Sequence, residues 1–395
     1  MPGFEIFGDE ERLEVGHVLD TGVLFRYGFD DVRGGVWKAR TFEAEFSRRL
    51  GAAYCHLCSS GTAALGIAMA ACGIGAGDEV IVPTFTFIAT IEGVLQAGAV
   101  PVFADIDETL CLDPESVRNR ITGRTRAVVP VHMCGSMARI DELASLCAES
   151  GLRLIEDTAQ AVGATFHGRS LGTFGDMGCY SFDPVKTITC GEGGAIVTDD
   201  EYLYHRAEQY ADHGHDHVGS DRGAEGHPIL GTNYRISELG AAVGLAQLRK
   251  LDWILETQRR NKSRLREAFA SCGDVTFRSI PDPEGDSATF LSLFAPDEDT
   301  ARAWTRALAD AGVPGCFYWY DNNWHYPRRW EHLKEMRTPG LSPLTLLDPQ
   351  PDLSVMDIER SDRIMSRTIS MLVKLSWTDA ELGDIQDRIR GALES

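Results

Sequence analysis

The sequence predicts an α/β fold, in which a large domain with a mostly parallel sheet precedes a smaller α+β C-terminal domain. Between residues 79 and 158, apolar runs typical of buried strands alternate with segments of helical periodicity. Such alternation is the pattern of a parallel sheet that helices cover on both faces. Beyond about Cys272 the pattern changes to short alternating runs, which indicates a second domain, and the 395 residues suffice for two.

The composition excludes several classes of partner. The formal net charge is −21, with 43% hydrophobic and 25% charged residues. Nucleic acid and anionic membranes require a basic face, so we expect neither as a partner. No stretch approaches the length of a transmembrane helix, and the first residues, MPGFEIFGDEERLEV, lack the features of a signal peptide. We therefore expect a cytoplasmic protein whose ten cysteines are reduced core thiols.

We expect three regions: an N-terminal arm (1–40), a large domain (41–250) and a small C-terminal domain (251–395). The arm is polar and rich in glycine, and it carries aromatic residues and arginines in FRYGFDDVRGGVWKAR. Because exposed aromatics and arginines are enriched in contacts, the arm lies either free on the surface or over a site or a partner subunit.

The elements follow from the apolar runs in chain order. Helices are predicted at 41–50, from residue 62 onward, at 88–97, 114–121 and 139–149, after residue 200, and at 236–270 and 300–311. Strands are predicted at 79–83, 100–106, 126–133, 152–158, 195–198, 275–280 and 289–296. A last strand and helix end the chain.

A turn of small polar residues, Ser60-Gly61-Thr62, precedes the alanine-rich helix. Either hydroxyl can cap that helix. Free N–H groups and the positive end of the helix dipole also make such a turn an anion site, and we favour bound phosphate. No Gly-Lys-Ser/Thr follows, so the turn is not a P-loop.

Lys186 lies in a loop between an apolar run that ends at Phe182 and a glycine cluster at 191–194. Lysine is usually a surface residue, but the neighbours here include Val185 and Ile188. An apolar surround disfavours the ammonium form and leaves an amine that can act as a nucleophile. Such amines form Schiff bases with carbonyls, pyridoxal 5′-phosphate (PLP) among them.

Polar residues at the carboxyl ends of the predicted strands are the next candidates, because ligands bind there in parallel sheets. These residues are Thr84–Phe87, His132, Asp157 with Gln160, and Ser181. Asp157 fits two roles: it can cap a helix that starts at 158–160, or it can keep a ring nitrogen protonated. Phe87 is either a core residue or a face for a planar ring.

Together these residues suit PLP. Lys186 would hold it as a Schiff base, Asp157 would pair with the pyridine nitrogen, and Phe87 would stack on the ring. The phosphate would be held by Ser60, Gly61, Thr62 and Ser181. Once an amino donor displaces Lys186, the freed amine can move the proton from the donor Cα as a general acid–base.

Six motifs in order resemble the DegT/DnrJ/EryC1/StrS family of PLP-dependent sugar aminotransferases, which have the type I (aspartate aminotransferase-like) fold: SSGTAAL, GDEVIVPTFTFIAT, VHMCG, IEDTAQAVGA, SFDPVKTITCGEGG and NYRISELGAA. The resemblance implies that Lys186 is the Schiff-base lysine, Asp157 the pyridine partner and Gln160 a contact to the ring hydroxyl. It implies a homodimer in which Asn233 reaches the neighbouring phosphate, with L-glutamate as donor and a sugar as acceptor. Family dehydratases carry histidine in place of the lysine, so we expect transamination.

Two other patterns have the residue types of metal sites. His213, His215 and His217 alternate in one polar stretch, but Gly214 and Asp216 break any helix face there. We favour a substrate-facing or inter-subunit loop. The CxxC of residues 55–58 has no second pair, so we expect no zinc and no other metal.

The aromatic stretch GCFYWYDNNWHYP (315–327) is either a core hairpin or a sugar-binding wall. Segments outside the six motifs, among them FRYGFD, DHGHDHVGSDRGAEGHP and GCFYWYDNNWHY, also resemble one member of that family. This makes five residues candidates for binding the carboxylate and hydroxyls of the sugar: Arg26, Arg33, His213, His215 and Asn323. A PLP-dependent dehydratase and a non-catalytic binding protein remain as alternatives.

Overall fold

The computed structural model describes residues 3–219, 222–354 and 356–393. Three predictions extend beyond these ranges, and one of them is the small domain (251–395), of which Val355, Glu394 and Ser395 lie outside the described residues. Met1 and Pro2 of the predicted arm, and Ser220 and Asp221 of the histidine-containing loop, lie outside the described residues.

The strands are, in chain order, β1 (Tyr54–Cys58), β2 (Glu79–Pro83), β3 (Val100–Ala104), β4 (Thr125–Val128), β5 (Arg153–Asp157), β6 (Thr165–Phe166), β7 (Arg169–Ser170), β8 (Met177–Ser181), β9 (Gly194–Thr198), β10 (Thr276–Phe277), β11 (Phe290–Phe294), β12 (Cys316–Tyr318) and β13 (Thr368–Leu372). The large sheet has the order β1-β9-β8-β5-β4-β2-β3. In the described ranges β9 pairs antiparallel with both β1 and β8, and the other strand pairs of this sheet are parallel. The mostly parallel sheet is therefore confirmed.

The helices are α1 (Asp9–Thr21), α2 (Lys38–Leu50), α3 (Gly61–Ala71), α4 (Ala89–Gln96), α5 (Pro114–Arg120), α6 (Ile140–Ser150), α7 (Glu201–Ala211), α8 (Glu238–Leu248), α9 (Leu251–Ala270), α10 (Glu298–Asp310), α11 (Glu331–Lys334), α12 (Glu359–Met365) and α13 (Asp379–Leu393). Short 3₁₀ helices lie at Gly3–Ile6, Met133–Gly135, Pro283–Gly285, Trp319–Asp321, Pro327–Arg329 and Pro343–Leu346.

The large sheet is buried on both faces, because successive residues of its strands enter different cores. In β8, Cys179 belongs to the core that contains α3, whereas Tyr180 belongs to the core that contains α2 and α8. A third core joins α9, α10 and α13 to the antiparallel sheet β10-β11-β13-β12. A strand buried on both faces requires the continuous apolar runs that the sequence shows.

Helix α1 lies within residues 1–40, for which the sequence predicted an arm and no helix. Its buried residues are Glu11, Glu14 and a single apolar residue, Val18. Glu11 accepts hydrogen bonds from Lys250 at 2.8 and 2.9 Å, and Glu14 accepts one from Arg249 at 2.7 Å. An apolar stripe is the usual signal of a packed helix, and α1 buries ion pairs in its place.

Four further segments differ from the prediction. The strand expected at 126–133 ends at Val128, and the strand expected at 275–280 has only two residues. Residues 158–160, expected to begin a helix, form a turn. The aromatic stretch is not a hairpin, since β12 pairs with the distant β13 and a 3₁₀ turn follows it. The division into 1–40, 41–250 and 251–395 stays a prediction.

Two glycines of unequal surroundings allow a test of how closely the large domain is packed. A Cβ on Gly178 of β8 would lie 2.1 Å from the carbonyl oxygen of Gly172, whereas a Cβ on Gly16 of α1 would meet no atom within 4 Å. We expect Gly178→Ala to lower stability by about 2 kcal/mol or more, because the contact is with backbone. Gly16→Ala is expected to stabilise by about 0.5–1 kcal/mol through helix propensity. Thermal melting measures both, and equal melting temperatures for the two variants would contradict this packing.

Candidate active site

One cleft gathers most of the predicted site residues at the carboxyl ends of the parallel strands. Its empty space is about 570 Å³, which includes the part open to solvent and lies in the range of small-molecule sites. The cleft is lined by eight of the predicted residues, namely Ser60, Gly61, Thr62, Phe87, Asp157, Gln160, Ser181 and Lys186. Residues that are distant in sequence thus lie together at the carboxyl ends of the parallel strands, where the sequence predicted a ligand site.

The backbone of Lys186 is held at both of its polar groups. Its N–H donates to the Asp183 carbonyl at 3.1 Å, and its carbonyl accepts from the Gly3 N–H at 2.8 Å. In the described ranges, the Lys186 amine has no hydrogen-bond or ion-pair partner. The loop therefore presents an unpaired amine to the cleft.

Burial lowers the pKa of the Lys186 amine below its ordinary value of 10.5, although the charges of Asp183 and Asp157 oppose this change. A lower pKa leaves more of the amine neutral near physiological pH. The structure thus provides what a nucleophilic lysine requires.

Asp157 ends β5 with its carboxylate buried. Its Oδ2 accepts from the Thr90 hydroxyl at 2.8 Å and its Oδ1 from the Ala159 N–H at 3.1 Å. Burial raises the pKa of this carboxyl, and the two hydrogen bonds oppose that rise. Among the described residues no cation forms an ion pair with Asp157. A cationic group of a ligand would therefore stabilise its ionised form.

Thr90 is a site residue that the sequence analysis did not single out. Its hydroxyl lies 2.6 Å from that of Thr86, which also lines the cleft. Thr90 lies in the first turn of α4 and Thr86 in the loop before it, so no helical spacing in the sequence indicated their contact.

The Ser60-Gly61-Thr62 turn begins α3. Ser60 is the N-cap, and its hydroxyl accepts from the Ala63 N–H at 3.0 Å. In the part of the chain that the structure describes, the N–H groups of Gly61 and Thr62 donate to no protein acceptor. A Cβ on Gly61 would lie 2.6 Å from Cβ of Ser181. Glycine thus lets the turn close on the end of β8, as an anion site there requires.

Gln160 lies in the turn after Asp157, and its Oε1 accepts from the Cys134 N–H at 3.1 Å. Because the oxygen is used in this way, the amide nitrogen remains as a donor at the cleft. This orientation suits a contact to a ring hydroxyl, a role that stays a prediction.

Phe87 joins the cleft to the aromatic stretch. Its ring stacks on Trp324 with centroids 5.7 Å apart. The carbonyls of Trp324 and His325 accept from the N–H groups of Ile88 and Thr86, both at 3.1 Å. The aromatic stretch therefore lies against the loop that carries Phe87, at the edge of the cleft.

Arg26 and Arg33 are not in this cleft. They are 4% and 1% exposed. Arg26 donates to Glu43 at 2.6 Å and to the Leu57 carbonyl at 2.7 Å, and Arg33 lies 3.5 Å from Glu238. Both guanidinium groups are thus paired within the chain.

The other predicted residues also lie outside the lining of this cleft. His213 has a left-handed backbone, with φ of 57°. His215 pairs with Glu225, Nδ1 to Oε2 being 2.8 Å. Asn323 is exposed, and its carbonyl accepts from the Trp330 indole at 2.9 Å. Asn233 is exposed, and its Oδ1 accepts from the Arg235 N–H at 3.2 Å.

Two features of the described residues bear on metal binding and membrane insertion. Within residues 3–219, 222–354 and 356–393 there is no group of three or more His, Cys, Asp or Glu side chains that could hold a metal ion. None of the helices described in those ranges has the length and apolarity that crossing a membrane requires.

The model of the DegT/DnrJ/EryC1/StrS aminotransferase family matches residues 28–340. The match covers most of the chain, so the chain belongs to this family, whose enzymes depend on PLP.

Two similar sequences and one similar solved structure show which proteins this chain resembles. GDP-perosamine synthase from Vibrio cholerae is 42% identical over 55% of this chain, and the match spans only 59% of that protein. UDP-N-acetyl-3-dehydro-alpha-D-glucosamine 3-aminotransferase from Acidithiobacillus ferrooxidans is 41% identical over 84% of this chain and 89% of its own. The structure of an aminotransferase from Psychrobacter cryohalolentis has a TM-score of 0.83 and 29% identity, covering 98% of this chain and 97% of that one. The similarity to this solved structure confirms the fold class.

The donor set of the cleft fits PLP. The unpaired amine of Lys186 suits its aldehyde, and the buried carboxylate of Asp157, without a cation, suits its protonated ring nitrogen. The two free N–H groups at the start of α3 suit its phosphate.

The lowered pKa of Lys186 predicts a pH-dependent stability difference in PLP-free protein. Between the folded and unfolded pKa values, the unfolded chain binds this proton more strongly, so stability rises with pH up to about 10.5. Lys186→Met removes the desolvation cost of the amine. We expect its melting temperature to exceed that of the wild type at pH 7, with the gap narrowing toward pH 10.

The matched control for this comparison is Lys374→Met, which removes a half-buried lysine that does not line the cleft. We expect it to change the melting temperature at pH 7 less than Lys186→Met does. Equal melting temperatures of the wild-type and Lys186→Met proteins at pH 7 would contradict the burial of the Lys186 amine.

Proposed function

We propose that this member of the DegT/DnrJ/EryC1/StrS family is a PLP-dependent transaminase that transfers the amino group of L-glutamate to a sugar carbonyl. One observation carries the proposal: the unpaired amine of Lys186 and the buried carboxylate of Asp157 lie in the same cleft. Burial lowers the pKa of that amine. When bound, PLP supplies an electron sink for the carbanion formed at the donor carbon.

Each residue of the cleft would have its own role in binding PLP or in moving a proton. Lys186 would hold PLP covalently through its aldehyde, and Asp157, fixed by Thr90, would keep the ring nitrogen protonated. Ser60, Gly61, Thr62 and Ser181 would hold the phosphate. After release, the Lys186 amine would accept the Cα proton of the donor, for which a pKa lowered toward neutrality is favourable.

The acceptor that we propose is the C8 aldehyde of 8-oxo-3,8-dideoxy-manno-octulosonate, an oxidised Kdo (3-deoxy-manno-octulosonate), which would yield the 8-amino sugar for lipopolysaccharide. Support comes from segments that resemble 8-amino-3,8-dideoxy-manno-octulosonate transaminase: MPGFEIFG, FRYGFD, DHGHDHVGSDRGAEGHP, IPDPEGDSA, GCFYWYDNNWHY and SRTISMLVKLSWTDA. One of these segments, the aromatic stretch, packs against Phe87 at the cleft.

A second candidate is a nucleotide-linked keto-sugar, a cyclitol or another high-carbon sugar. The printed names of the V. cholerae and A. ferrooxidans relatives favour nucleotide sugars. A PLP-dependent sugar dehydratase is less favoured, because Lys186 stands where the family's dehydratases carry histidine.

We also propose a homodimer in which Asn233 of one subunit reaches the phosphate in the other. Asn233 supports this proposal by being exposed and by lying outside the cleft of its own subunit. Arg26, Arg33, His213, His215 and Asn323 stay candidates for the sugar carboxylate and hydroxyls. For the buried and paired Arg26 and Arg33, such a contact would require these ion pairs to rearrange.

The proposal is tested by incubating the protein with PLP, L-glutamate and a panel of sugar aldehydes and nucleotide-linked keto-sugars. We expect 2-oxoglutarate and the 8-amino sugar from 8-oxo-3,8-dideoxy-manno-octulosonate, both detected by mass spectrometry. Turnover of a nucleotide sugar alone would replace the acceptor, and loss of water without amination would indicate the dehydratase.

Lys186→Ala is expected to reduce turnover by at least 10³-fold and to abolish the visible absorbance of protein-bound PLP, because the covalent anchor and the proton carrier are lost together. Lys374→Ala serves as the matched control and should retain both. A colourless wild-type protein that binds no PLP would refute the proposed function.

A further inference from the structure

One buried turn links the cleft to the segment between β10 and β11. Residues Met133–Gly135 form this 3₁₀ turn, in which Cys134 has a left-handed backbone with φ of 56° and ψ of 35°. For a residue with a side chain that conformation is unfavourable, so it persists only where surrounding contacts hold it. Several contacts that hold the turn come from residues 278–289, far away in the sequence.

Arg278 binds this turn through its guanidinium group. Its Nη1 donates to the Met133 carbonyl at 2.8 Å, and its Nη2 contacts the Thr109 carbonyl and, at 3.6 Å, the Cys111 sulfur. The Ser136 N–H also donates to the Met133 carbonyl, but at 3.2 Å. Arg278 is 5% exposed, and no carboxylate of the described residues forms an ion pair with it. Burial of a guanidinium against neutral groups costs free energy of folding, so stability alone does not explain this arginine.

The peptide unit between Met133 and Cys134 connects Arg278 to a residue of the cleft. Its carbonyl and its N–H point in opposite directions, because the trans peptide is planar. Arg278 holds the carbonyl, and the Cys134 N–H donates to Oε1 of Gln160 at 3.1 Å. A guanidinium has donors and no acceptor, so Arg278 binds this peptide unit in one orientation only. If the peptide unit turned over, its carbonyl would face Gln160 and would require the amide nitrogen of that side chain.

The orientation of this peptide unit therefore determines which end of the Gln160 amide faces the cleft. While the Cys134 N–H binds the amide oxygen, the amide nitrogen remains as a donor toward the cleft. A reversed amide would present its oxygen there, which is an acceptor. Toward the ring hydroxyl oxygen of PLP, which carries negative charge when ionised, a donor is favourable and an acceptor is unfavourable.

We propose that Arg278 is a positioning residue: by holding the Met133 carbonyl it orients the Gln160 amide so that the amide nitrogen donates to the ring hydroxyl oxygen of PLP. Arg278 does not line the cleft, so it acts only through the peptide unit that it binds. This inference rests on the proposed function, since it concerns how the chain holds the PLP of that function.

The test follows the visible absorbance of protein-bound PLP as the pH is raised. A donor makes the ring hydroxyl oxygen less basic, which weakens its hold on the proton shared with the Schiff-base nitrogen. For Arg278→Met we expect the pH midpoint of the absorbance change to rise by about 0.5–1 unit, which corresponds to one hydrogen bond. Gln160→Leu should raise the midpoint similarly, and Arg278→Met should add no further shift to Gln160→Leu protein. Arg278→Lys, which keeps a charged donor, should restore most of the shift.

Ser287→Ala is the matched control, because Ser287 is buried and binds the same turn at a different peptide unit. Its Oγ donates to the Gly135 carbonyl at 2.8 Å, and its N–H, which the variant keeps, donates to that carbonyl at 3.0 Å. We expect Ser287→Ala to lower the melting temperature of PLP-free protein without moving the midpoint. If Arg278→Met does not fold, Arg278→Gln replaces it, because a neutral amide keeps polar contacts without imposing one orientation on the peptide unit.

Four results would overturn the inference in a wild type that binds PLP: an unchanged midpoint in folded Arg278→Met, an unchanged midpoint in Gln160→Leu, an equal shift in Ser287→Ala, or a full additional shift when Arg278→Met is combined with Gln160→Leu. A colourless wild type that binds no PLP, or absence of amination with every acceptor, would refute the proposed function itself. The wild type alone decides that question, so the two failures are distinguishable.

Discussion

The desolvation of two opposite charges in one cleft is the constraint on which the site depends. Asp157 is buried there, Lys186 is half-buried, and the two form no direct ion pair. Desolvation moves their pKa values in opposite directions, down for the amine and up for the carboxyl. Each shift favours the neutral form. The folded chain thus retains an unfavourable charge environment that a ligand with an aldehyde and a cationic ring nitrogen would relieve.

Close backbone packing around the cleft keeps these groups in position. Gly61 brings the start of α3 against Ser181, and a Cβ on Gly194 would lie 2.3 Å from the Ser60 carbonyl oxygen. The turn that offers free N–H groups is therefore held between the ends of β8 and β9. The N-terminal segment adds a further restraint, because the Gly3 N–H binds the Lys186 carbonyl.

Local patterns in the chain were sufficient to predict the sheet, most of its helices and the eight residues that meet in the cleft. Continuous apolar runs report strands buried on both faces, and ligands bind at the ends of such strands. Helix α1 was missed because two of its three buried residues are Glu11 and Glu14, which pair with Lys250 and Arg249. Hydrophobic periodicity detects helices that bury apolar residues, and it does not detect a helix that packs through ion pairs.

The sequence by itself determined the fold class, the family and the candidate lysine, carboxylate and phosphate turn, because each has a local signature of spacing and residue type. Only the tertiary structure decided which polar residues are free to act. It pairs Arg26 and Arg33 with carboxylates inside the chain, and it brings Thr90 to Asp157 and Arg278 to the turn that holds Gln160. Partners of a side chain come from segments far apart in sequence, and their contacts leave no local pattern to read.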